Sequence, residues 1–226
     1  MCATLAGDPS VQEAAAVLRR QLSSPRLVLL GVDRLDYTKG IPERLVAFER
    51  YLERHPERAQ DVVLVQVAAP SRERVDEYDR LRQEVERLVG HLNGKLGSIG
   101  RPVVHYLHQD QSFEEVMALY LAADVMLVTP LADGMNLVAK EFVVARDGQA
   151  ATLVISEFAG AVEELGPDSI VVNAFDVESM VAGLEQVDEL SAAEQRTRMA
   201  HMARTVTDHD VHRWAASFLS RLAAQH

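Results

Sequence analysis

Three groups of residues in this chain have the chemical types to grip an anion. Arg34 and Lys39 stand just after the apolar run Leu27-Val28-Leu29-Leu30, and Arg72 follows the apolar run that ends at Ala69. The third group, Asp133-Gly134-Met135-Asn136-Leu137-Val138-Ala139-Lys140-Glu141, follows Val125-Met126-Leu127-Val128-Thr129-Pro130. That stretch reads as a strand end, a tight turn and the start of a helix. Guanidinium and ammonium groups give phosphate oxygens short, charge-assisted hydrogen bonds. A helix N-terminus adds unpaired N–H groups and the positive end of its dipole. Asn136 is a residue type that caps such a helix, and Gly134 lets the backbone approach a ligand. The chemistry that fits all three groups is the holding of a diphosphate.

Each group also has an ordinary structural reading. Arg34 and Lys39 could neutralise Asp33 and Asp36 at the surface. Arg72, Glu73 and Arg74 could form a solvated first helical turn, and Glu141 could counter Lys140 or the helix dipole. Asp208-His209-Asp210 is a literal Asp-x-Asp, a spacing that holds Mg²⁺ or Mn²⁺ in some enzymes. It precedes an amphipathic stretch with Trp214, Phe218 and Leu222, so an N-cap is the expected role. His105, His108, His201, His209 and His212 show no spacing that forces a metal site, and no metal and no cofactor are expected. Cys2, the single cysteine, is expected at a mobile terminus as a poor nucleophile.

The 226 residues are 48% hydrophobic and 25% charged, an ordinary balance for a soluble globular chain. A formal net charge of -11 argues against general nucleic-acid binding, because most of the surface would repel a polyanion. There is no apolar run of membrane-span length and no signal-peptide pattern. A cytoplasmic location without membrane contact is therefore expected, while an oligomer is left open.

The elements that must position these groups follow from periodicity. A lead-in helix is expected within residues 1–24, since Val11, Ala14, Ala15, Leu18 and Leu22 recur at helical spacing before Ser23-Ser24-Pro25. Apolar runs over residues 26–33, 61–69, 103–107, 125–129, 152–156 and 170–172 lack polar alternation, as do strands covered on both faces. Pro42 suits the first turn of a helix, Ser71 suits the N-cap of a long helix, and Ser112 with Glu115 has capping-box spacing. Asn93-Gly94-Lys95-Leu96-Gly97-Ser98-Ile99-Gly100 reads as glycine-rich loop. C-terminal helices are expected over 176–189 and within 190–226. About six strands alternating with helices predict an α/β, Rossmann-like, doubly wound parallel sheet, with residues 1–226 as one domain. Right-handed crossovers would bring the strand ends, and the three groups behind them, to one edge.

Two long segments, Gly31-Val32-Asp33-Arg34-Leu35-Asp36-Tyr37-Thr38-Lys39-Gly40-Ile41-Pro42-Glu43-Arg44 and Thr129 through Glu141, resemble the trehalose-6-phosphate synthase family in the right order. Pro70-Ser71-Arg72, Asn93-Gly94-Lys95 and Ser156-Glu157-Phe158-Ala159-Gly160 resemble it as well. The resemblance implies one half of a glycosyltransferase B fold. It also implies transfer of glucose from a nucleotide sugar, usually UDP-glucose, to glucose 6-phosphate with retention. By the same resemblance, Arg34 and Lys39 would hold the donor diphosphate, joined by backbone N–H groups of Asn136 and Leu137. Asp133, Gly134 and Met135 would face the donor glucose, and Glu141 the ribose hydroxyls. The base would lie by Gln111, and Arg72 would reach the phosphate of glucose 6-phosphate. Members carry an N-terminal domain that this sequence lacks, with most acceptor contacts. The expectation is a donor-binding half with little turnover alone. The alternative is a non-catalytic sugar-nucleotide binding or regulatory module, or a pseudo-glycosyltransferase.

Overall fold

The structure is a computed structural model that describes residues 1–71 and 76–208. Its frame is a parallel sheet of β1 (Leu27–Arg34), β2 (Val62–Ala69), β3 (Val104–Leu107), β4 (Val125–Val128), β5 (Thr152–Ser156) and β6 (Ile170–Val172). The strand order is β3-β2-β1-β4-β5-β6, and every pairing is parallel. From β1 the chain winds outward to β2 and β3, then returns to β4 and winds the other way. β1 and β4 therefore flank the topological switch point, where ligands of such sheets settle beyond the strands' carboxyl ends.

Successive residues of β1, β2, β4 and β5 feed opposite layers, as the period of two requires, whereas β6, expected to be covered on both faces, exposes Val171. Leu27, Leu29, Leu64 and Leu127 pack with α3 (Ile41–Arg54), α4 (Asp76–Leu96) and α8 (Val177–Glu189). Val28, Leu30, Val65 and Met126 pack with α2 (Pro9–Gln21), α5 (Phe113–Ala122), α6 (Leu137–Ala145) and α9 (Ala192–Asp208). A fully buried leucine such as Leu29 or Leu64 stabilises the fold by roughly 1.5–3 kcal/mol.

Among the described residues the remaining α-helices are the short α1 (Cys2–Ala6) and α7 (Val162–Leu165). Cys2, expected to be mobile, is half-buried in α1 against the layer that holds α5 and α6. Burial pushes its thiol pKa up, and the Glu141 carboxylate adds to the rise. The lead-in helix starts at Pro9, with Asp8 accepting from the Ser10 N–H. Arg19 of α2 anchors it by bonding both carboxylate oxygens of Asp124 and the Ala122 carbonyl.

The Asn93–Gly100 loop reading holds only in part, because α4 continues to Leu96. Leu88 and Leu92 continue the buried stripe, and the Asn93 side chain bonds both the N–H and the carbonyl of Val104 at 2.9 Å. Tertiary contacts thus outweigh the helix cost of Gly94. Ser71 as an N-cap involves the turn through residues 72–75, which lie outside the described residues, as do 209–226 with the proposed last helix. Among the described residues no helix is long and apolar enough to cross a membrane.

Candidate functional site

Asp36 builds the turn after β1. Its carboxylate accepts from the Thr38 N–H and hydroxyl and from the Tyr78 hydroxyl. Burial works against its charge, but these bonds and the field of Arg34 hold its carboxyl below the ordinary carboxylate value. Gly40 then takes the left-handed conformation at φ 64° as the N-cap of α3. A Cβ there would lie 2.3 Å from the Thr129 carbonyl oxygen. Glycine is therefore needed twice over, for the dihedral and for the approach of this turn to the end of β4. The contact continues where the Thr38 carbonyl accepts from the N–H of Leu131 at 2.8 Å.

Past β4 the loop reaches Asn136, buried at φ 61°. A left-handed non-glycine residue is uncommon and costs on the order of 1–2 kcal/mol. Its side chain offsets this, capping α6 by accepting from the Ala139 N–H at 3.0 Å and donating to Asp133 Oδ2 at 3.1 Å. The N–H groups of Asn136, Leu137 and Val138 precede the first intrahelical bond and so face outward from the helix end.

The walls meet at an ion pair, Lys39 Nζ to Asp133 Oδ2 at 2.6 Å, with side chains 14% and 15% exposed. Burial opposes the charge of Asp133, but bonds from Lys39, the Met135 N–H and Asn136 outweigh it and hold its pKa below the ordinary value. Asp133 is held from the β5 side too. Its N–H donates to the Phe158 carbonyl at 3.1 Å, and its carbonyl accepts from Gly160 at 2.8 Å. A Cβ on Gly160 would sit 2.1 Å from the Gly134 oxygen, whereas one on Gly134 would meet nothing within 4 Å among the described residues. The glycine the chain itself demands is thus Gly160.

The structure brings Lys39, Asp133 and Asn136 into one network and places Gly134, Met135 and Leu137 on the same exposed rim. Arg34 lies exposed at the end of β1, with no hydrogen bond or ion pair among the described residues. Neither Arg34 nor Lys39 pairs with Asp33, which bonds Arg44 instead. Glu141 accepts from the buried Tyr120 hydroxyl at 3.1 Å, and Lys140 pairs with Glu164, so Glu141 does not counter Lys140. Burial and the Glu141 carboxylate push the Tyr120 hydroxyl pKa far up, keeping it a donor.

Gln111 follows β3 and is half-buried, and its amide nitrogen is buried without a partner among the described residues. It lines a cavity of about 610 Å³ between α2 and α5, which includes none of the anion-site residues. Arg72 lies outside the described residues. Among the described residues no group of three or more His, Cys, Asp or Glu is placed to hold a metal ion. Sequence reasoning gave no role to Thr38, Arg44 or Gly160. A glycine next to a small residue, in the turn beyond the apolar run 152–156, was the one available signal, at Gly160.

Residues 2–224 match the model of Glycosyltransferase family 20. The chain belongs to that family. Among its relatives is the trehalose-6-phosphate synthase of Mycobacterium bovis, 50% identical over 221 residues, which are 98% of this chain and 44% of that protein. The Mycobacterium avium synthase is 52% identical over 213 residues, 94% of this chain and 43% of that one. An E. coli trehalose-6-phosphate structure with UDP-2-fluoro glucose bound superposes with a TM-score of 0.90 at 37% identity, covering 98% of this chain and 49% of that one. The Burkholderia xenovorans α,α-trehalose-phosphate synthase in complex with glucose-6-phosphate gives 0.91 at 34% identity, with 98% and 49% covered. The chain therefore spans about half the length of these family 20 relatives. The six-stranded unit is one half of a glycosyltransferase B fold.

Proposed function

We propose that this chain is the donor-binding half of a trehalose-6-phosphate synthase, seating UDP-glucose or another nucleotide glucose across the β1–β4 switch point. The carrying observation is the network of Lys39, Asp133 and Asn136 at that point, formed by residues from both walls. The E. coli relative that matches over 98% of this chain has UDP-2-fluoro glucose bound, which supports the same ligand class here.

In this reading Arg34, which makes no hydrogen bond or ion pair among the described residues, and Lys39 take the diphosphate. An ammonium has three donors, and Asp133 uses one, so Lys39 keeps others for phosphate oxygens. The N–H groups of Asn136 and Leu137 meet the same phosphates. Asp133, Gly134 and Met135 face the donor glucose, Glu141 accepts from the ribose hydroxyls, and the base lies by Gln111. Arg72 takes the phosphate of glucose 6-phosphate. The donor diphosphate is the leaving group, and preorganised positive charge and N–H dipoles stabilise the negative charge that grows on it. This assigns no protein nucleophile and no metal to the step. The remaining acceptor contacts come from a domain outside this sequence, so the chain alone binds donor with little turnover.

Titration calorimetry with UDP-glucose and UDP, alongside an assay of UDP release with glucose 6-phosphate, tests this. Binding without turnover is expected. No binding of either nucleotide at millimolar concentration removes the donor reading, and full turnover by the chain alone removes the half-enzyme reading.

A further inference from the structure

Arg44 lies one turn into α3, only 2% exposed, with its guanidinium spread beneath the switch point. Nη1 bonds Asp33 Oδ2 at 2.6 Å and Gln66 Oε1 at 2.7 Å, Nε bonds Thr129 Oγ1 at 3.0 Å, and Nη2 reaches the Lys39 carbonyl at 3.5 Å. Asp33 is 5% exposed at its side chain, Gln66 0% and Thr129 3%. The strand above is shaped to admit the group, since a Cβ on Gly31 would lie 2.2 Å from Nη1 and 2.5 Å from Gln66 Oε1.

A buried ion pair of this kind adds little net stability compared with apolar residues of equal volume, because desolvation offsets the attraction. Its distinctive property is where the bonds end. One reaches the backbone of Lys39 after β1, and another the side chain of Thr129 at the end of β4, shortly before Asp133. The planar fork spans both at once, which a single ammonium cannot do.

We infer that Arg44 is a positioning residue for the anion site, tying the Lys39 turn to the Asp133 loop so that the two walls keep a fixed spacing. This rests on the diphosphate reading of the site. The Leu131 N–H bond to the Thr38 carbonyl spans the same gap and reports the spacing without any ligand. The test compares wild type with Arg44→Lys, which keeps a charge for Asp33, and Thr129→Val, which removes the β4 tie and leaves the ion pair. Hydrogen exchange is followed at Leu131 relative to Leu64 in the core, UDP binding by calorimetry and uridine binding by NMR titration.

In a folded variant, exchange at Leu131 should rise about tenfold relative to Leu64, and UDP affinity should fall about tenfold, the scale of one charge-assisted bond, with uridine affinity unchanged. A purely structural role moves Leu131 and Leu64 together and lowers UDP and uridine affinity in parallel, and either result overturns the proposal. Should Arg44→Lys fail to fold, Thr129→Val carries the same readouts. If the wild type binds no UDP, the donor reading alone fails, and relative exchange at Leu131 still decides whether Arg44 ties the walls.

Discussion

Gly160→Ala separates what the donor loop needs for its shape from what it needs for a ligand. The new methyl would be placed 2.1 Å from the Gly134 oxygen and 2.7 Å from its carbonyl carbon, both backbone atoms that cannot swing aside as a side chain would. The loop must back away, and the bonds that resist are Gly160 N–H to the Asp133 carbonyl and Asp133 N–H to the Phe158 carbonyl. At roughly 0.5–1.5 kcal/mol each, losing both costs about 1–3 kcal/mol of stability. Because Asp133 also anchors Lys39 and Asn136, UDP affinity should fall with stability. Gly134→Ala is the counterpart. Its methyl meets no atom of the described residues within 4 Å, so urea denaturation should find stability unchanged or raised by about 0.4–1 kcal/mol through the unfolded state. The same methyl would lie where the donor glucose is proposed, so UDP-glucose binding should weaken relative to UDP. Equal stability of Gly160→Ala and wild type would refute the steric argument. An unchanged ratio of UDP-glucose to UDP affinity in Gly134→Ala would refute the sugar-facing position of that loop.

Arg34→Ala should leave urea stability within about 0.5 kcal/mol, as for a surface change that breaks no hydrogen bond or ion pair among the described residues. It should weaken UDP binding by roughly 1.5–3 kcal/mol, and an unchanged dissociation constant takes Arg34 out of the site. Asp133 carries a pH prediction. Its folded pKa lies below the ordinary 3.8, so its charge contributes stability above that value, which is lost as pH falls through the folded pKa. Asp133→Asn should be less stable than wild type near neutral pH, with the gap closing below about pH 4. A gap in urea midpoints that stays constant from pH 7 to pH 3 contradicts the Lys39–Asp133 pairing.

The parts of this molecule readable in advance are those whose signal is local. Val62 through Ala68 announces a strand covered on both faces because no polar residue but Gln66 interrupts it. Ser112 and Glu115 announce a helix start because both bonds of the capping box span that one turn. The strand order that puts β1 beside β4 follows from how such units wind, so Lys39 and Asp133 could be expected on one edge though 94 positions apart.

What stayed hidden depends on which partner a charge finds in space. Arg44 and Asp33 look like surface residues in sequence, and only the fold shows that Gly31 and Gln66 make room for their ion pair beneath the site. Asn136 could be read as a cap, but not that it caps from a left-handed conformation, since that conformation is stabilised by Asp133 and so by Lys39. The same coupling makes the site sensitive to residues that touch no ligand. Gly40 and Gly160 govern how closely the β1 and β5 turns approach the β4 loop, so the two walls of the site are set by backbone contacts before any phosphate arrives.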